Sequence, residues 1–193
     1  MKKLFFATGT NACGKSSIAK WLIENEPAAE VIEFPELHTR ATVLHSRNLI
    51  IIGKYSSKTT SGGCDTIKKK AYTQEMLRAL WARPEDIFME GYLIGTKIWI
   101  EDLLAFPEDR EIWLISFNTE LETCFKRIEG RSGKTRAELK NNGANVAGKH
   151  AAVAKFSGWL AENKPQIKQF QLDSENLPAP KVVAQLLTLQ DGN

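Results

Sequence analysis

The chain has few cysteines, no long apolar run and little net charge. Its three cysteines, Cys13, Cys64 and Cys124, are too few and too scattered for a metal cluster or a disulfide framework. No apolar run approaches the ~20 residues of a membrane span. Met1–Lys3 leads directly into a strand-like run, so the pattern of a secretory signal is absent. We therefore expect a cytoplasmic protein in a reducing compartment, with no membrane partner.

The net charge of +3 is unevenly distributed along the chain. Segments Lys54–Lys70 and Lys126–Lys140 each carry a surplus of +4, and subtracting both from +3 leaves −5 for the remainder. Two basic segments on an otherwise acidic body suggest a polyanionic partner. The alternative is that these lysines and arginines lie on solvated helix faces.

Short apolar runs alternate with helical patterns of hydrophobic residues. This alternation predicts one α/β domain over residues 1–193, doubly wound, with a mostly parallel five-stranded sheet. Residues 131–148, rich in glycine, asparagine and charge, are interpreted as a mobile segment. The strand candidates are Lys3–Thr8, Val31–Phe34, Leu49–Ile52, Ile87–Met89, Ile112–Phe117 and Ile167–Leu172, and the principal helix candidates are Ser16–Asn25, Thr66–Trp81, Val153–Leu160 and Lys181–Leu189.

The most specific motif is GTNACGKS at residues 9–16, which fits the phosphate-loop pattern G-x-x-x-x-G-K-[ST] completely. An apolar strand precedes it and an amphipathic helix follows, so backbone N–H groups and the helix N terminus can face a phosphate. Lys15 can reach the β- and γ-phosphates, and the Ser16 hydroxyl can bind Mg²⁺. We therefore predict ATP and Mg²⁺ as cofactors. The predicted nucleotide-binding residues are Gly9, Thr10, Asn11, Ala12, Cys13, Gly14, Lys15, Ser16 and Ser17.

Three side chains near this motif carry further expectations. Lys15 should be exposed, so that it contributes charge and no core packing. Cys13 lies near a helix N terminus and Lys15, so its thiol should tend toward the thiolate and bound ATP should protect it from alkylation. Glu90 ends an apolar strand and is predicted to hold the water shell of the magnesium. Alternatively, Glu90 is an N-terminal charge for a helix over Tyr92–Ile100.

Among proteins with this loop, the sequence favours a kinase. Residues 163–166, NKPQ, lack the aspartate of a guanine-reading Asn-Lys-x-Asp, and we find no strand-borne Asp-Glu pair of a motor ATPase. Arg127 and Arg131 form an R-x-x-x-R pattern in a predicted lid over residues 127–148. Such arginines can close over a triphosphate and stabilise the transferring phosphoryl group. The alternative is a solvated basic helix end.

Two carboxylates compete as the group that orients and deprotonates the acceptor hydroxyl. Glu36 follows the second strand candidate, 21 residues after Lys15. Asp65 follows Gly62 and Gly63, where paired glycines would let a substrate approach the backbone. Asp65 is also suited to be the N-cap of the Thr66–Trp81 helix. Both acids stay candidates.

Taken together, the loop at 9–16, Gly53-Lys54-Tyr55, the GGCDTI run at 62–67 and Glu90-Gly91-Tyr92 make the sequence resemble a known family. This family is the bacteriophage P-loop kinases that phosphorylate 5-hydroxymethyluracil in DNA, and the resemblance covers residues 4–95. The resemblance implies a DNA kinase that acts on a primary alcohol of the modified base, in the host cytoplasm. Tyr55 and Tyr92 are then candidates for stacking on a base, or alternatively for packing in the core. A base in duplex DNA would have to be turned out to react. The implied substrate-binding residues are Tyr55, Gly62, Gly63, Lys68 and Tyr92.

Two other functions remain compatible with the sequence. A kinase of free deoxynucleoside monophosphates would use the same loop and lid, with basic residues gripping one acceptor phosphate. A nucleotide-binding interaction protein would hydrolyse ATP slowly, without an acceptor, or not at all. With γ-labelled ATP, transfer of the label to DNA, to a free nucleotide or to water distinguishes these three functions.

Overall fold

The computed structural model describes residues 1–56, 62–67 and 69–191. In these ranges one mixed sheet is covered by helices on both faces. The strands are β1 (Lys2–Ala7), β2 (Ala29–Phe34), β3 (Thr39–Leu44), β4 (Leu49–Ile52), β5 (Asp86–Glu90), β6 (Arg110–Phe117) and β7 (Lys168–Leu172). The helices are α1 (Lys15–Glu24), α2 (Lys70–Trp81), α3 (Lys97–Leu104), α4 (Leu121–Ser132), α5 (Ala144–Asn163) and α6 (Ala179–Asp191).

The sheet has seven strands in the order β2-β3-β4-β5-β1-β6-β7, so the prediction of five strands was wrong. The strands from β4 to β7 are parallel, whereas β2 pairs antiparallel with β3 and β3 antiparallel with β4. Two three-residue 3₁₀ turns, Pro35–Leu37 and His45–Arg47, join these strands. Because so short a connection cannot make a parallel crossover, β2 to β4 form an antiparallel meander.

Strand β1 organises the core on both faces of the sheet. Its side chains alternate, because successive residues of a strand point to opposite faces. Leu4 and Phe6 enter the cluster that includes residues of α2, α3 and α5, while Phe5 and Ala7 enter the cluster that includes residues of α1 and α6. Ala7 is in register with Glu90 of β5, so both strands end together at one edge of the sheet. We call this the carboxyl edge.

Several helix boundaries differ from the predictions. Helix α2 begins at Lys70 instead of Thr66, because Cys64–Thr66 forms a separate 3₁₀ turn. Helix α3 begins at Lys97, so Glu90 is not the first-turn charge of a helix, and that alternative was wrong. Helix α5 begins at Ala144, well before the predicted Val153. In the described part of the chain, no helix is both long and apolar enough to span a membrane.

The predicted lid region contains regular structure. Helix α4 continues to Ser132, and two 3₁₀ turns, Arg136–Glu138 and Lys140–Gly143, lead into α5. A capping box between Thr135 and Glu138 closes the first of these turns. Whether this region opens and closes stays a prediction.

Candidate active site

Residues 9–16 connect β1 to α1 in a tight loop at the carboxyl edge. Gly14 has φ of 112° and Ala12 has φ of 65°, both in the left-handed region. Position 14 therefore requires glycine, because a residue with a Cβ would be strained at this backbone conformation. At Gly9 the constraint is space, since a Cβ would overlap the Cys13 sulfur. The two glycines allow the loop to curl tightly at the start of α1.

The Lys15 side chain lies inside this loop. Its Nζ donates hydrogen bonds to the carbonyl oxygens of Gly9, at 2.8 Å, and Thr10, at 2.9 Å. Only 8% of the residue is exposed, so the expectation of an exposed lysine was wrong. The reason is that the loop curls around the ammonium group, whose donors bond these two carbonyls.

Cys13 is also buried, at 2% exposure, and packs in a cluster with Cys124 and Phe125. Burial raises the pKa of the Cys13 thiol, and the opposing effect of the Lys15 ammonium is smaller. The expectation of a thiolate was therefore wrong, because desolvation penalises the charged form more than the nearby cation favours it.

Glu90 lies at the end of β5, next to the loop. Its Oε1 accepts hydrogen bonds from the Ser16 hydroxyl, at 2.7 Å, and the Tyr55 hydroxyl, at 3.1 Å. Burial raises the pKa of Glu90, while the Lys15 ammonium acts in the opposite direction. The structure thus brings the two predicted metal residues, Ser16 and Glu90, into contact. Hydroxyl and carboxylate oxygens suit Mg²⁺, which binds few protein groups together with phosphates and waters.

No cluster of three or more His, Cys, Asp or Glu side chains that could hold a metal occurs within the described ranges. A magnesium ion at Ser16 and Glu90 would therefore need phosphate oxygens and waters to complete its octahedral shell. The donor set fits a metal that arrives with a nucleotide.

The glycines of the 62–65 segment pack against the protein itself. A Cβ at Gly63 would overlap the Glu90 carboxylate and main-chain carbonyl, and one at Gly62 would overlap the Lys54 carbonyl and the Tyr55 ring. Both glycines are buried. The prediction that they admit a substrate to the backbone is corrected, because the space beside them is filled by Glu90 and residues 54–55.

The tyrosines predicted to stack on a base have different environments. Tyr55 is buried in the core, its hydroxyl bonds Glu90, and burial raises its pKa well above the ordinary value. Tyr55 therefore packs in the core and does not offer its ring to a base. Tyr92 is half-buried, and the Lys149 Nζ lies 4.9 Å from its ring centroid. Lys68 lies outside the described residues.

The two candidate acids lie in different turns of the structure. The exposed Asp65 accepts hydrogen bonds from the backbone amides of Tyr92, at 2.7 Å, and Leu93, at 3.0 Å. It does not cap α2, which begins at Lys70, so that alternative was wrong. Glu36 lies in the turn after β2, at the same edge but four strands from β1, roughly 19 Å at about 4.8 Å per strand. The structure places Asp65 against the turn that follows Glu90, and Glu36 at the other end of the sheet's antiparallel part.

The two predicted lid arginines lie against the loop. Arg127 donates to the Ser174 carbonyl, at 2.7 Å, and to the Ala12 carbonyl, at 3.3 Å. Arg127 and Arg131 line a cavity of about 400 Å³ together with residues 14–18 and, from the β7–α6 connection and the start of α6, Ser174, Leu177, Pro178, Ala179 and Val182. The β7–α6 connection was not predicted as part of the site, because it carries no motif and reaches the loop only through the tertiary fold.

Lys149 of α5 is a second residue that the sequence analysis missed. Its Nζ donates to the Asn11 side-chain oxygen at 3.3 Å, and it also lies over the Tyr92 ring. A lone lysine in a helix gives no sequence signal, and 138 residues separate it from Asn11. Lys149 places a positive charge between the loop and the residues that follow Glu90.

Some of the predicted basic residues already have partners. Lys70 forms an ion pair with Asp102, and Arg136 pairs with Glu122 at 2.8 Å. The positive potential of the two basic segments is therefore lower than their residue counts suggest.

The fold defines the class of protein. A solved deoxyadenosine kinase from M. mycoides superimposes with a TM-score of 0.50, at 11% identity, covering 98% of this chain and all of that one. An uncharacterised protein from Eubacterium ventriosum gives a TM-score of 0.51, at 11% identity, over the whole of both chains. The chain therefore has a nucleoside-kinase-like α/β fold with a mostly parallel mixed sheet.

Within this class the family is specific. The profile of the 5-hmdU DNA kinase family matches residues 1–183, and the chain belongs to this family, which confirms the resemblance. A 5-hmdU DNA kinase 1 from Salmonella phage ViI is 37% identical over 139 residues, 68% of this chain and 60% of the relative. A 5-hmdU DNA kinase from Bacillus phage SP10 is 28% identical over 152 residues, 75% of this chain and 23% of the relative. The chain thus matches less than two thirds of the length of these relatives.

Proposed function

We propose that this chain transfers the γ-phosphoryl group of ATP to the hydroxymethyl oxygen of 5-hydroxymethyluracil in DNA. One observation carries the proposal: the 9–16 loop, the Ser16–Glu90 pair and Asp65 meet at one sheet edge in a chain of the 5-hmdU DNA kinase family. The names of the phage relatives support both the modified base and the polymer as the acceptor.

In this proposal the 9–16 loop binds the triphosphate. Lys15 exchanges the carbonyls of Gly9 and Thr10 for β- and γ-phosphate oxygens, which are stronger acceptors because they are charged. The 400 Å³ cavity beside Arg127 and Arg131 receives the nucleoside. Residues 127–148 act as a lid that brings these arginines onto the transferring group.

Magnesium is part of the proposed donor complex. Ser16 would bind it directly and Glu90 would hold its waters, in keeping with their hydrogen bond of 2.7 Å. When bound, Mg²⁺ neutralises charge on the β- and γ-phosphate oxygens. The buried Glu90, whose pKa is raised by desolvation, gains a compensating charge.

Asp65 is the proposed acceptor-side base. The hydroxymethyl oxygen forms a bond to the γ-phosphorus while the bond from that phosphorus to the β–γ bridging oxygen breaks. The hydroxyl proton passes to the Asp65 carboxylate, and ADP leaves. A carboxylate has about four lone-pair positions, so Asp65 can accept this proton while it holds the two amides of the 92–93 backbone.

The test is transfer of label from γ-labelled ATP. The acceptors are DNA containing 5-hydroxymethyluracil, the same DNA with thymine, and the free hydroxymethyl-deoxyuridine monophosphate. We expect label in the first DNA only. Label in the free nucleotide and not in DNA would favour the monophosphate kinase, and label released only as phosphate would favour the interaction protein.

Two isosteric variants test the choice of base. Asp65→Asn should lower kcat on the modified DNA by about 10²-fold or more, because an amide cannot accept the proton. Glu36→Gln is the matched control and should retain most of the activity, because Glu36 lies four strands away from β1. The reverse result would reassign the base to Glu36.

A further inference from the structure

The turn that follows β5 presents an exposed leucine. Leu93 is 56% exposed and is one of four large exposed hydrophobic residues in the described ranges. The next residue, Ile94, is only 1% exposed and belongs to the core. Gly95 packs against Thr8 and its amide donates to the Tyr92 carbonyl at 3.1 Å. The exposed side chain therefore projects from a turn whose far end is anchored.

The near end of the turn is anchored as well. The Gly91 amide donates to the Ala7 carbonyl at 3.0 Å, which extends the pairing of β1 with β5. Asp65 accepts the amides of both Tyr92 and Leu93. The backbone of Leu93 is therefore held in place. Its exposed side chain, however, contributes no hydrophobic free energy to the fold.

Leu93 lies close to the proposed catalytic residues, because its amide donates a hydrogen bond to Asp65 at 3.0 Å. It is three residues after Glu90, and its neighbour Tyr92 contacts Lys149, which in turn bonds Asn11 of the loop. Lys149 adds positive charge beside this turn, as a DNA backbone would require.

We propose that Leu93 is a wedge that enters the DNA base stack and fills the gap left when 5-hydroxymethyluracil is turned out. The inference rests on the proposed function. A paired base cannot reach the active site of an enzyme, so it must be extruded. Proteins that open a base step insert apolar side chains, leucine among them, between the bases. A leucine on an anchored turn beside the phosphate loop has the chemistry and the position for this task.

The experiment compares one enzyme on three DNAs. Each oligonucleotide carries a single 5-hydroxymethyluracil, either paired with adenine in a duplex, in a one-nucleotide bulge, or in a single strand. Leu93→Ala should lower kcat/KM on the paired duplex by roughly 10-fold or more, since alanine is too short to replace the extruded base in the stack. The bulge and the single strand should stay within about 2-fold, because their base is already accessible.

Two control variants sharpen the result. Leu93→Met keeps an apolar side chain of similar volume and should restore most of the duplex activity. Val31→Ala removes a similarly exposed side chain, 47% exposed, from β2 at the far edge of the sheet, and should change none of the three activities.

The outcomes separate the wedge from the function on which it rests. If the wild type is active, an equal loss of activity on all three DNAs for Leu93→Ala would overturn the wedge alone. No loss on any of the three DNAs would do the same. A wild type active only on the single strand would also overturn it. A wild type inactive on all three DNAs would overturn the proposed function, and the wedge with it.

Discussion

Arg127 should have two separable roles, and its replacement by alanine tests both. Its guanidinium joins the 9–16 loop to the β7–α6 connection through the carbonyls of Ala12 and Ser174. In the proposed reaction the same group stabilises charge on the transferring phosphoryl. Arg127→Ala should therefore lower both stability and kcat.

The size of the stability loss follows from these bonds. A hydrogen bond from a charged donor contributes about 1.5–3 kcal/mol, and the lower value applies because Arg127 is only half-buried. The contact to Ser174, at 2.7 Å, carries most of this, since the one to Ala12 is long at 3.3 Å. A loss of about 1.5 kcal/mol corresponds to a fall in Tm of about 3–6 °C for a domain of this size.

Arg131 is the matched control. It lines the same cavity but is exposed, and among the described residues its side chain has no hydrogen bond or ion pair. Arg131→Ala should leave Tm within about 1 °C. Both variants should lower kcat by roughly 10-fold or more, with smaller changes in KM for ATP, if the arginines act on the transition state.

The assays are thermal unfolding by circular dichroism and steady-state kinetics on modified DNA. Arg127→Ala with an unchanged Tm would refute the stabilising bridge. An effect confined to KM would show that the arginines bind the ground state, and equal falls in Tm for both variants would contradict the distinction between them.

Three further predictions concern the loop and its carboxylate. Lys15→Ala should abolish turnover while circular dichroism shows a folded protein, so near-normal turnover would contradict the mechanism. Glu90→Gln should also stop turnover, yet raise the Tm of the metal-free protein at pH 8. Folding raises the pKa of Glu90 and so favours the protonated carboxyl, which glutamine mimics. The gain in Tm should shrink toward roughly pH 4, because Glu90 is then protonated in the unfolded chain as well. Thermal unfolding measured at several pH values tests this. Cys13 should react slowly with iodoacetamide at neutral pH, with or without ATP, because it is buried and its pKa is raised; rapid labelling seen by mass spectrometry would contradict its placement.

The local motifs were predictable because their chemistry depends on neighbours in sequence. The loop, with Lys15 and Ser16 at its end, needs glycines at fixed spacing between a strand and a helix, and this pattern is visible without any structure. The parallel part of the sheet was predictable for a similar reason, since strands separated by helices pair in parallel. The family resemblance depended on such local pieces and is confirmed.

The wrong predictions concern residues whose structure depends on distant parts of the chain, which the local sequence does not specify. Strand β3, Thr39–Leu44, contains Arg40 and threonines and was missed, because its identity depends on pairing with two neighbouring strands. Cys13 and Lys15 were expected to be reactive or exposed, yet loop curvature buries both. Burial and hydrogen bonding are properties of the folded surroundings, and they decided the state of each side chain.

By itself, the sequence determined the phosphate-loop pattern at residues 9–16, the α/β fold and the resemblance to a kinase family, because these depend on periodicity and short motifs. Only the tertiary structure decided how the acceptor side is built. It assigned Gly62 and Gly63 to close packing, placed Asp65 beneath the 91–95 turn, and carried Lys149 to the loop from the distant helix α5. The physical reason is that these contacts join segments far apart in the chain, and only the packing of the sheet and its helices brings such segments together.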